Sequence, residues 1–112
     1  MRRDLELIRH LLLAIEAAPT AELLRPPVVL GYSRVIIDHH IRLLIEAKLA
    51  VAAAETRNPR GWLAVRLTWA GYEYLDAIRD PLVWRYTRRA AGKIGNWSFE
   101  TIGALAKAAL LA

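Results

Sequence analysis

The chain contains no cysteine, so disulfides and thiolate metal sites are excluded. Long apolar runs are also missing. The most apolar stretch, Thr101–Ala112, is about a dozen residues long and is interrupted by Lys107, short of the roughly 20 residues a membrane-spanning helix needs. The N-terminus, Met-Arg-Arg-Asp-Leu-Glu-Leu-Ile-Arg-His, is charged and amphipathic and does not read as a secretory signal. These absences point to a cytoplasmic protein with no membrane partner. No Gly-rich phosphate loop and no nucleophile–base pair stands in the sequence, so a non-enzymatic role without cofactor is expected.

Acidic residues are scarce in one half only. Residues 1–56 carry seven basic and seven acidic side chains, whereas residues 57–112 carry nine basic and four acidic ones. The whole net charge of +5 therefore resides in the second half. A basic half beside a neutral one points to a polyanionic partner, nucleic acid before membrane.

Helical spacing of Leu5, Ile8, Leu12 and Ile15 predicts a first helix over about Arg3–Ala17, with Asp4 among the residues facing away. Pro19 stops it. After an extra turn expected at Ala21–Arg25, Pro26-Pro27 force extended backbone, and Val28-Val29-Leu30 is expected as a short buried strand. Ser33 then caps a second helix with Ile37, Ile41 and Leu44 inward and Arg34, Val35, Asp38, His39 and Arg42 outward. Such helices usually stop at Gly. Lys48 stands there instead, and an adjusted helix end is expected, because the left-handed conformation would cost on the order of 1 kcal/mol.

A hairpin follows: Ala50–Thr56, a polar turn Arg57-Asn58-Pro59-Arg60-Gly61, and an alternating strand Trp62–Trp69. Thr68 reads as the cap of a third helix, Trp69–Arg79, with Tyr72, Leu75 and Ile78 as its apolar stripe. Asp80-Pro81 restarts the chain as a fourth helix over Pro81–Lys93, which exposes Arg85, Arg88, Arg89 and Lys93. Ser98 caps a fifth, Phe99–Leu111. Trp69 and Trp84 are assigned to the core; Trp62 and Trp97 are the candidates for exposure. Helix, short strand, helix and β-hairpin wing define a winged helix. The expected architecture is thus one α+β domain over 1–112, with 81–112 as added C-terminal helices.

Several residues carry a further likeness. The opening Met-Arg-Arg-Asp-Leu-Glu-Leu-Ile-Arg, the Gly31-Tyr32-Ser33 turn, His40 with the following Ile41–Ala47, and the run Leu67-Thr68-Trp69-Ala70-Gly71 through Asp76-Ala77-Ile78-Arg79-Asp80 resemble a family of small bacterial and phage-associated proteins. That family is a domain of unknown function. The resemblance implies a winged-helix-like fold and a link to mobile elements.

On this layout the preferred expectation is a regulator that binds double-stranded DNA. Arg34, His39 and Arg42 would meet a groove from the second helix, and Arg57 and Arg60 would grip the backbone from the wing. Arg85, Arg88 and Arg89 would offer a basic face for phosphates. The Phe99–Leu111 helix is a candidate for homodimer pairing. The competing expectation is a protein-interaction module, since Asp38 and Glu46 repel phosphate and Val35 and Ile45 add apolar surface. His39 and His40 are adjacent and diverge by about 100° on a helix. They cannot share an ion, and no metal site is expected.

Overall fold

A computed structural model describes residues 1–57 and 63–111. It is an α+β chain in the order α1 (Leu5–Glu16), α2 (Arg34–Glu46), β1 (Ala50–Arg57), β2 (Leu63–Leu67), α3 (Trp69–Ile78), α4 (Pro81–Ile94) and α5 (Phe99–Leu111). Two compact units emerge, Met1–Tyr72 and Glu73–Ala112, and the division falls inside α3. No helix among the described residues is long and apolar enough to cross a membrane.

In the first unit, α1 packs against α2 and β2 and buries Leu7, Ile8, Leu11, Leu12 and Ile15 completely or nearly so. Each such side chain contributes about 1.5–3 kcal/mol by leaving water. From α2 come Ile37, Ile41 and Leu44, and the hairpin adds Val65 and Leu67. The helix starts two residues further on than the spacing predicts, because Asp4 is its cap and not an outward residue. The Asp4 carboxylate accepts the Leu7 N–H at 3.1 Å.

The hairpin is antiparallel, with Ala50 opposite Leu67, Val51 opposite Arg66 and Ala52 opposite Val65. A register shift lies between Ala52 and Arg57. Trp62 and the turn at 58–61 lie outside the described residues, and Trp69 belongs to α3 rather than to the second strand.

The expected buried strand at Val28–Leu30 is absent. Val28 and Leu30 are 98% and 97% exposed. Pro26 and Pro27 withdraw two donors from any ladder there. Gly31, at φ +89°, then closes a tight turn in which the Tyr32 N–H reaches the Val29 carbonyl at 3.1 Å. The bridge forms earlier, at Leu23, which exchanges both backbone hydrogen bonds with Val65 (2.7 and 3.2 Å). No helical turn forms at Ala21–Arg25.

The end of α2 is not adjusted. Lys48 takes the left-handed conformation, φ +64°. Its N–H bonds to the Ile45 carbonyl (3.0 Å) and the Leu49 N–H to Leu44 (3.0 Å), the double closure of a Schellman motif. That closure satisfies carbonyls that would otherwise be orphaned and offsets the strain of a lysine where glycine is usual. The corner then receives α3. The Thr68 hydroxyl donates to the Lys48 carbonyl (2.7 Å) and accepts the Gly71 N–H (3.0 Å), as a helix cap does. A Cβ on Gly71 would lie 2.0 Å from the Leu49 carbonyl oxygen, so only glycine permits this approach.

Gly71 facing that corner also explains two departures. Trp69, two residues before it and about 200° around the helix, points to solvent and is 81% exposed, not core. Tyr72 is likewise partly exposed, and Tyr74 is the buried tyrosine of α3.

In the second unit α4 packs on α5 and buries Trp84, Thr87 and Ala91 with Ile102 and Ala106. Asp80 caps α4, its carboxylate accepting from Leu82 (2.8 Å) and Val83 (3.1 Å), with Pro81 at the first turn as its sequence predicts. Ser98 caps α5 by accepting the Thr101 N–H at 3.1 Å. Tyr74 meets Phe99 edge-to-face, ring centroids 5.2 Å apart.

Candidate nucleic-acid interface

The sequence-predicted contact residues divide between the two units. Arg34, His39, Arg42 and Arg57 belong to the first, and Arg85, Arg88 and Arg89 to the second. Arg60 lies outside the described residues, as does the side chain of Arg57, whose backbone ends β1 opposite Leu63.

On α2, Arg34, Asp38 and Arg42 follow at i, i+4 and i+8 and share a stripe. Arg34 and Arg42 are exposed as expected. Arg34 lies 3.9 Å from Asp38, and Glu46 extends the same arc. Two cations therefore face two carboxylates, and the outward side of α2 carries no net charge. His39 is only half-buried and sits edge-on to His40, centroids 5.6 Å apart.

The inward side of α2 holds polar chemistry that periodicity did not reveal. His40 is fully buried. Its Nε2 accepts the backbone N–H of Asp4 at 2.9 Å. Its Nδ1 then carries the proton and donates to the Ile36 carbonyl, 2.8 Å away. The Tyr32 hydroxyl donates to the other Asp4 oxygen at 2.7 Å. One histidine thus ties the start of α1 to the middle of α2. Burial pushes the Asp4 carboxyl up. The Tyr32 hydroxyl, the Leu7 and Glu6 N–H groups and the nearby His40 outweigh it, and the Asp4 pKa lies below its ordinary value. The available sequence signal was an aspartate three residues ahead of Leu7, the spacing of an N-cap.

The face of α4 is different. Its residues 81–94 contain four cations and no carboxylate. Arg85, Arg88, Arg89 and Lys93 are all exposed, as is Tyr86. Spacings of 3, 1 and 4 place the cations within two turns of one another on one side. Arg88 lies over the buried Trp84 ring, 5.9 Å from its centroid, which fixes part of the stripe in place. At the far end Gly95, φ +74°, and Asn96 both donate to the Ala91 carbonyl (2.8 and 3.2 Å) and turn the chain back. Trp97 consequently lies against Gly92, whose Cβ direction meets the six-membered ring at 3.5 Å.

No three His, Asp or Glu side chains gather around a common point among the described residues in a way that would hold a metal ion.

Fold and surface together define a small α+β protein in which one helix, α4, carries four exposed cations and no carboxylate. Residues 2–96 match the family described as hypothetical protein (DUF2513), and the chain belongs to that family. It is also similar to an uncharacterized protein of Haemophilus influenzae (strain ATCC 51907 / DSM 11121 / KW20 / Rd), 36% identical over 86 residues that make up 75% of this chain and 73% of the relative. No solved structure matches the chain.

Proposed function

We propose that this is a non-enzymatic DNA-binding protein, a small regulator that grips the backbone of double-stranded DNA through α4. The observation that carries this reading is the α4 face, with four exposed cations and no carboxylate in fourteen residues. Cations on a helix side release condensed counterions when they meet phosphates, a large and sequence-independent source of affinity. The order of α1, the Leu23 bridge, α2 and the β1–β2 hairpin supports a winged-helix-like reading of the first unit. In that reading α2 and the wing are the groove-facing parts. Because α2 is balanced in charge, it contributes position more than affinity.

A second reading, a protein-interaction module, is favoured by Val28 and Leu30, which stand almost wholly in solvent, and by the exposed Val35 at the start of α2. Fluorescence anisotropy on a labelled duplex separates the two. The DNA reading expects binding at about 50 mM salt that weakens on a log–log plot with a slope of roughly −3, three or so phosphate contacts. Absence of binding at that salt overturns it. Loss of a captured protein by Val28→Ser with Leu30→Ser would then establish the second reading.

A further inference from the structure

We propose that the α4 face also takes an unpaired stretch of DNA, with one base stacked on Trp97 and the flanking phosphates on Arg89 and Lys93. The inference rests on the reading of α4 as a nucleic-acid face. Cations alone would suit a duplex, whose bases are already stacked and which offers its outside mainly as phosphate. This face holds aromatic rings as well. Tyr86, 60% exposed, stands at i−3 to Arg89 and i−7 to Lys93 on the same stripe.

Trp97 reaches the stripe by a built route. The left-handed Gly95 and the Asn96 N–H close back on the Ala91 carbonyl, and the Asn96 side chain accepts the Ser98 N–H at 3.0 Å. The indole is thereby laid on Gly92, one turn beyond Arg88 and Arg89, in the one place along that row where the helix has no side chain. It keeps 37% of its surface in solvent. A tryptophan held partly open against Gly92, one turn along the helix from Arg88 and Arg89, matches an unstacked base, because every base has a π-face while the cations track the backbone.

The test uses the full chain and three labelled probes: a blunt duplex, the same duplex with a single-stranded thymidine tail of about ten nucleotides, and single-stranded dT20, a length that spans an ordinary site of this kind. The tail should raise affinity at least about fivefold over the blunt duplex, the gain expected from one stacked base. Trp97→Ala should abolish that gain, and Trp97→Phe, which keeps a ring, should retain most of it. If Trp97→Ala does not fold by circular dichroism, Trp97→Phe and Tyr86→Ala carry the comparison, with quenching of tryptophan emission by dT20 lower in Trp97→Phe than in the native chain. A blunt duplex bound as tightly as the tailed one overturns the inference and leaves the duplex reading standing. Binding of dT20 without the blunt duplex supports the inference and overturns the duplex reading. An equal loss on all three probes in Trp97→Ala would mean that the ring only packs the helix end, and overturns the inference.

Discussion

Helices α2 and α4 are of similar length, each carries arginines, and each is opened by a side-chain cap, yet they direct their polar chemistry in opposite ways. On α2 the outward arginines face Asp38 and Glu46, and the consequential polar group, His40, is buried and bonded on both ring nitrogens. On α4 the inward side is Trp84, Thr87 and Ala91, and all the charge stands outside with a single sign. On the proposed reading, the helix in the place of a recognition helix is not the one that supplies affinity. Where the charge is balanced, the residues hold a fold; where it is unbalanced and exposed, they are available to a partner.

The sharpest way to break this contrast is to reverse the α4 face. Arg85→Glu with Arg89→Glu and Lys93→Glu should lower duplex affinity by about a hundredfold or more at low salt. The melting temperature should change little, since all three side chains are exposed. Next in size is the opposite lesion. His40→Leu removes the acceptor of the Asp4 N–H and the donor to Ile36, and should cost about 2 kcal/mol in urea unfolding. The DNA affinity of the folded fraction should be unchanged.

A smaller effect sharpens the comparison from the α2 side. Asp38→Asn with Glu46→Gln leaves Arg34 and Arg42 unopposed and should tighten duplex binding by roughly threefold at low salt. The smallest concerns Asp4. Because its folded pKa is lowered, the stability it contributes is complete above the ordinary aspartate value and is lost as pH falls through the lower, folded value. Native protein should therefore lose more stability than Asp4→Asn between neutral and strongly acidic pH in parallel unfolding titrations.

Most caps and periodic stripes were legible because they are local; the exceptions are the Asp4 cap of α1, read as an outward residue, and Tyr72 in the α3 stripe. Ser33, Thr68, Asp80 and Ser98 each bond backbone within three residues, and each opens the helix its sequence announces. Three features were not legible because they depend on partners distant in sequence. Val28–Leu30 has strand composition, but the pairing with Val65 is made at Leu23 before the prolines intervene. Trp69 has the character of a core residue, and only the approach of Gly71 to Leu49, twenty-two positions earlier, turns it outward. His40 looks like one half of an idle histidine pair until the α1 terminus arrives to donate to it.

The α4 basic face was legible from charge and spacing alone. The exposure of Trp97 was expected, but its place beside that face was not legible, because it joins the stripe through a left-handed turn that no periodicity describes. Lys48 teaches the same lesson in the backbone. Its residue type argues against the left-handed conformation, and the two hydrogen bonds of the Schellman closure prevail.

The most direct measurement removes equal charge from the two helices. Arg34→Ala with Arg42→Ala is compared with Arg85→Ala with Arg89→Ala, each on the same labelled duplex at the same low salt, with folding checked by circular dichroism. The expected result is a loss of roughly tenfold for the α4 pair and less than about twofold for the α2 pair. An α2 loss equal to or greater than the α4 loss would contradict the assignment of affinity to α4.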